Sequence, residues 1–203
     1  PLLFGGLSAE KIVFTEHLYL TLIFLPLFIK RSSVFWNAKI SHLFAFFIIG
    51  GLGSALGTLA FTRAFFLMNP SLVILLQKLQ PALAIILARY LLGERTGKGF
   101  LFWAFICLCG AFLISYTDLV EGFQKLDFGG KLLSQDFLMG YALALLAVVS
   151  WASATVFGKK LSLDGFSSGE IMAGRVLLGF FCLLPFWVSG NVDLSFCWEV
   201  EGK

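Results

Sequence analysis

Long apolar runs separated by short polar or charged stretches dominate the chain from residue 8 to residue 188. At ~1.5 Å per residue, six of these runs are long enough to cross most or all of a hydrocarbon core of about 30 Å. The pattern therefore predicts an all-α integral membrane protein with about six transmembrane helices. The predicted spans are residues 8–28, 40–66, 71–94, 100–116, 138–158 and 168–188.

Composition supports this class and argues against several others. Of 203 residues, 59% are hydrophobic and 13% are charged, outside the range of soluble globular chains. The net charge of +3 is spread over short loops and does not indicate nucleic-acid binding. The pair Cys107 and Cys109 has no His or acidic companion, so neither a metal site nor a cofactor is expected. The sequence contains no H-E-x-x-H motif, no G-x-S-x-G motif and no paired intramembrane Asp, so none of these motifs indicates an enzyme.

The distribution of Lys and Arg between loops predicts the orientation. If the spans alternate in direction, seven basic residues share one side, which we expect to be cytoplasmic. Three basic residues fall on the opposite side, with most of the loop acids. The seven are Lys30, Arg31, Lys39, Arg95, Lys98, Lys159 and Lys160, and the three are Lys125, Lys131 and Lys203.

The third span carries polar residues near its middle, where a simple anchor has no use for them. Gln77, Gln80 and Pro81 are spaced i, i+3 and i+4, so a continuous helix would present them on one face. They would offer hydrogen bonds to a substrate, and Pro81 would free a backbone carbonyl. The alternative is that the glutamines bond to a neighbouring helix.

Three charged residues lie at similar depth in the predicted bilayer. Glu16 and Lys78 are each ~12 Å from the same membrane face and Arg175 is ~10 Å from the other, so all three approach the midplane. A Glu16–Lys78 pair is geometrically allowed. It could serve only to neutralise two buried charges, or Glu16 could exchange a proton during transport. Trp151 is a further candidate for lining a cavity, with helix packing as its alternative role.

The second span has a glycine-rich centre. Gly53 and Gly57 form a G-x-x-x-G step, which permits close approach of a neighbouring helix. No Lys-Ser or Lys-Thr follows, so a phosphate-binding loop is disfavoured. Packing is the expected role.

The first and sixth spans resemble each other. Residues 16–28 align without gaps on residues 175–187, with Glu16 on Arg175 and Pro26 on Pro185. The loop charges give these two spans opposite directions across the membrane. An inverted repeat with a binding site at its interface is a recurrent plan among transporters.

The segment LQKLQPALAIILARYLLGE (Leu76–Glu94) and the following GKGFLFWAFICLCGAFLIS resemble the end of an EamA domain of the drug/metabolite transporter superfamily. GYALALLAVVSWASATVFGKKLS resembles the start of a second such domain. The resemblance implies ten helices in two inverted five-helix halves, of which this chain would hold helices two to seven as a fragment. Residues 1–116 would form a first half without its first helix, 117–137 a polar linker, and 138–203 a truncated second half. Many such domains carry Arg near the position of Glu16, so the chain departs from the pattern there.

The resemblance and the polar residues together predict a secondary transporter. It would move a small metabolite or drug-like solute across the plasma (inner) membrane by alternating access. Its expected partners are that solute and the lipid bilayer, with a proton as candidate coupling ion and a second copy of the chain as candidate partner. A non-catalytic membrane scaffold with a structural Glu–Lys pair is the alternative. Lys78→Ala would separate the two, since it should stop transport only in a transporter.

Overall fold

Six helices make up the well-described part of the chain, and the described residues contain no strand. The computed structural model describes residues 8–94 and 135–188, with short pieces between residues 97 and 120. Five of the six helices are long and apolar enough to cross a membrane, which confirms the predicted all-α membrane fold. The helices are α1 (Ala9–Lys30), α2 (Ser32–Trp36), α3 (Ile40–Leu67), α4 (Pro70–Leu91), α5 (Gln135–Leu163) and α6 (Ser168–Val188).

Two predicted segments fall partly or wholly outside the described residues. The fourth span, 100–116, is described only in part, and its described residues are helical. Most of the predicted linker 117–137 lies outside the described residues, although α5 already begins within it at Gln135. The division into two halves, with the boundaries given above, therefore stays a prediction.

α3 lies at the centre of the bundle and packs against α5 and α6. Its middle, Ile48–Leu56, is π-helical, which the sequence pattern did not indicate. A methyl group placed on Gly53 would lie 2.4 Å from the Cβ of Ala154, and one on Gly57 would meet the side chains of Ser150 and Trp151. The predicted packing role of the two glycines is thus confirmed, because a larger residue at either position would separate α3 from α5.

α4 is interrupted near its centre. Pro70 follows the N-cap Asn69, whose side chain accepts a hydrogen bond from the Ser71 amide at 2.9 Å. The first helical segment ends at Gln77 and the second begins at Gln80. Pro81 has no amide hydrogen to donate to the preceding turn, which accounts for the interruption. Two helical segments of α4 therefore replace the uninterrupted helix that the pattern predicted.

α1 and α6 form an antiparallel pair. The rings of Phe14 and Phe180 lie 5.4 Å apart near one end, and Leu27 contacts Gly169 near the other. This geometry confirms the opposite directions predicted for the two similar spans. The residues that correspond in the alignment thus belong to helices that contact each other.

Ion pairs connect neighbouring helix ends at both ends of the bundle. Lys159 at the end of α5 contacts Glu94 beyond α4 at 2.6 Å, and Arg31 lies 3.8 Å from Glu170 in the first turn of α6. At the other side, Arg63 of α3 donates two hydrogen bonds to one carboxylate oxygen of Glu10. These contacts agree with the alternating directions from which the orientation was predicted.

The Glu10–Arg63 pair should contribute modestly to stability. Arg63 is exposed, so a double-mutant cycle with Glu10→Gln and Arg63→Gln should give a coupling of about 0.2–1 kcal/mol. The measurement is thermal unfolding of the four variants in detergent. A coupling of about 3 kcal/mol or more would show instead that the pair is isolated from water.

Candidate functional site

A cavity of about 250 Å³ lies between α4, α5 and α6. Polar side chains come to it from both segments of α4, from α5 and from the middle of α6. It contains four of the seven residues singled out from the sequence. Its lining residues are Gln77, Gln80, Trp151, Ala154, Thr155 and Arg175.

The break in α4 provides two carboxamides to one wall. Gln77 is the last residue of the first segment and Gln80 the first of the second, and both are half-buried. Each carboxamide offers one acceptor oxygen and two N–H donors. The wall can therefore bond to a ligand that presents both donors and acceptors.

α5 contributes an aromatic ring and a hydroxyl one helical turn apart. The ring of Trp151 packs on Phe61 with centroids 4.8 Å apart and also contacts Gly57. The Thr155 hydroxyl donates to the Trp151 carbonyl at 2.8 Å, which leaves its oxygen free to accept from a ligand. Trp151 thus fulfils both roles considered for it, since it packs against α3 and lines the cavity. Thr155 was not predicted, although its spacing of four residues from Trp151 places the two on one helix face.

Arg175 supplies the only charged group among the lining residues. It is half-buried in the second turn of α6, and α3 approaches its backbone closely. A methyl group on Gly50 would lie 2.7 Å from the Arg175 carbonyl oxygen. Contact between α3 and α6 therefore sets the position from which the guanidinium reaches the cavity.

Lys78 does not line this cavity. It borders a separate space of about 600 Å³, whose other lining residues are Leu75, Leu76, Leu79, Phe105, Cys109 and Leu113. The Glu16–Lys78 ion pair that the similar depths allowed does not form among the described residues. The count of residues gave each side chain a depth along its helix but no direction around the helix. Pro81 is exposed and does not line the polar cavity either.

Glu16 is instead related to Arg175. Its carboxylate is exposed on α1, the helix that packs against α6. The two positions that correspond in the repeat thus carry opposite charges on neighbouring helices.

His17 is a buried polar residue to which the sequence gave no role. It is 1% exposed, and its Nδ1 lies 2.9 Å from the Val13 carbonyl oxygen. Its Nε2 lies 3.0 Å from the hydroxyl of Ser54, in the π-helical part of α3. The ring therefore connects α1 to α3. The break in apolar pattern at His17 was the only sequence signal for this contact.

Comparisons with known proteins give the family of the chain. Residues 2–116 and 138–197 match the EamA-like transporter family. The chain is 40% identical over 166 residues to the riboflavin transporter ImpX of Fusobacterium nucleatum subsp. nucleatum, an alignment that covers 79% of this chain and 52% of that protein. The chain thus spans about half the length of this relative. No solved structure matches the chain. With most of its residues matched, the chain belongs to the EamA-like transporter family.

Proposed function

We propose that this protein is a secondary transporter whose solute is riboflavin or a closely related flavin, and that the cavity between α4, α5 and α6 is part of its binding site. The observation that carries the proposal is the convergence of Gln77, Gln80, Thr155 and Arg175 around the ring of Trp151. Similarity to a riboflavin transporter, 40% over 79% of the chain, supports this choice of solute. The proposed site lies between α4, from the predicted first half, and α5 and α6, from the predicted second half.

The chemistry of the lining residues suits a flavin ring. The ring system is flat and aromatic, so it can stack on an indole such as Trp151. Its carbonyl oxygens accept hydrogen bonds, which the Arg175 guanidinium and the Gln N–H groups donate. Its imide N–H needs an acceptor, which a Gln or Thr oxygen provides. Ligand sites commonly have volumes of about 300–1,000 Å³, so a space of about 250 Å³ suits a part of the solute.

The same elements suit alternating access. Gln77 and Gln80 lie on either side of the interruption in α4, and discontinuous helices at the midplane are characteristic of transporter sites. α3 contacts both α5 and α6 through glycines, so small displacements along these contacts would reshape the cavity. Glu16, at similar depth, is the proposed carboxylate for proton coupling. Uptake of riboflavin into vesicles should then increase when an imposed pH gradient drives protons in the same direction.

Gln80→Ala should weaken riboflavin binding by about fivefold to thirtyfold, because loss of one or two neutral hydrogen bonds costs about 1–2 kcal/mol. Riboflavin fluorescence quenching on purified protein measures the affinity, and uptake into proteoliposomes measures transport. Gln77→Ala should have an effect of similar size.

Lys78→Ala, which the sequence alone led us to expect to stop transport, is now the matched control, because Lys78 lies between the two glutamines but borders the other cavity. We expect its riboflavin affinity to stay within about twofold of the unsubstituted protein. The opposite pattern, with Lys78→Ala defective and both glutamine variants normal, would move the site to the apolar cavity. Normal transport in all three variants would contradict this assignment, and no flavin binding by the unsubstituted protein would reject the proposed solute.

A further inference from the structure

Among the described residues that line the cavity, Arg175 is the single charged one, and the others are neutral. The carboxamides, the hydroxyl and the indole that share the lining leave its positive charge without compensation inside the cavity. Guanidinium groups bind carboxylates and phosphates through paired, charge-assisted hydrogen bonds. Taken alone, this wall would attract an anion more strongly than a neutral solute.

Glu16 does not line the cavity, but its negative charge can offset the positive charge of Arg175. Glu16 precedes His17 on α1, and Gly179 of α6 packs against the His17 ring. α6 carries one basic residue, Arg175. His17 is held by two neutral partners, the Val13 carbonyl and the Ser54 hydroxyl. The other acid of α1, Glu10, already pairs with Arg63. Arg175 is therefore the cation that Glu16 compensates.

The packing of α1 against α6 gives the separation across which the charge of Glu16 would act on Arg175. Gly179 packs against the ring of His17, which sets these two residues level in the antiparallel pair. Glu16 and Arg175 are then offset by about five residues of rise, ~7.5 Å along the axes, and the axes of packed helices lie about 8–10 Å apart, so their positions are roughly 11–13 Å apart. No direct ion pair joins them in the described part of the chain. At about 12 Å and an effective dielectric constant near 20, one unit charge changes the binding of another by about tenfold.

We propose that Glu16 determines specificity by charge: its carboxylate balances Arg175 and repels anions, so that the site selects a neutral flavin over a phosphorylated one. The inference rests on the proposed function and adds the charge class of the solute. Glu16 acts here through Arg175 and through the potential in the cavity, and it need not touch the solute.

Riboflavin and riboflavin monophosphate test this directly, because they share one ring and differ by a phosphate dianion. The affinities of both are measured by fluorescence quenching on the purified protein. The unsubstituted protein should prefer riboflavin. In Glu16→Gln the ratio of monophosphate to riboflavin affinity should rise by about tenfold or more, and the gain should diminish in high salt. Glu16→Asp keeps the charge and should restore the original preference.

Glu10→Gln is the matched control, since it removes the same charge from the same helix where the partner is Arg63. Its affinity ratio should stay within about twofold of the unsubstituted protein. An unchanged affinity ratio in Glu16→Gln, or an equal shift in Glu10→Gln, would overturn the inference without contradicting the proposed riboflavin-binding site. A protein that binds neither flavin would overturn the proposed function and this inference with it. In Glu16→Gln/Arg175→Gln the gain for the monophosphate should disappear, and its persistence would refute the role of Arg175.

Discussion

Replacing Arg175 with glutamine should weaken riboflavin binding by about tenfold to a hundredfold and reduce transport correspondingly. A hydrogen bond from a charged donor is worth about 1.5–3 kcal/mol, and none of the other lining residues that the structure describes is charged and able to replace it. Arg175→Lys keeps the charge but loses the planar group with five donors, so we expect an intermediate loss. Riboflavin fluorescence quenching and proteoliposome uptake measure both variants.

A loss of binding must be separated from a loss of folding, because Arg175 is half-buried on a helix that α3 contacts. Arg89→Gln is a suitable control, since Arg89 lies exposed in the last turn of α4, away from the cavity. It should bind riboflavin normally. If Arg175→Gln inserts and unfolds at the same temperature as the unsubstituted protein yet binds riboflavin equally well, the cavity is not the flavin site.

Most of the fold could be predicted because it depends on one-dimensional information. Membrane helices are long, apolar and bounded by charges, and these features can be identified from the sequence without any knowledge of tertiary contacts. The antiparallel relation of α1 and α6 was also predictable, since loop charges fix direction. The π-helical segment of α3 was not, because Ile48–Leu56 would suit an ordinary α-helix equally well and its geometry depends on tertiary contacts.

The candidate site was predictable from the sequence only in part. The i, i+3 spacing of Gln77 and Gln80 predicted a shared face, and both line the polar cavity. Gln77 and Lys78 are neighbours in sequence, yet Lys78 borders a separate apolar space. Neighbouring residues point about 100° apart around a helix, and a count of depth carries no such direction. Lys78 was paired with Glu16 by depth alone, which does not show that two side chains face each other.

A second large effect is expected at Gly53, where α3 packs closely against α5 beside the cavity. In Gly53→Ala the new methyl group would lie 2.4 Å from the Cβ of Ala154, a separation that side chains do not tolerate. α3 and α5 must move apart, and forced overpacking of this kind costs about 1–3 kcal/mol. Because Ala154 also lines the cavity, riboflavin binding should weaken together with the unfolding temperature in detergent.

Two further variants make this prediction specific to the contact. Ala154→Gly removes the opposing methyl group, so the double variant Gly53→Ala/Ala154→Gly should recover much of the lost stability and binding. Gly158→Ala lies on α5 where an added methyl group meets nothing within 4 Å, and it should be neutral or stabilise the helix by up to about 1 kcal/mol. Equal effects of Gly53→Ala and Gly158→Ala, or a double variant no better than Gly53→Ala, would show that helix propensity and not the α3–α5 contact governs stability here. The predicted recovery, by contrast, would show that the width of this contact controls the shape of the cavity.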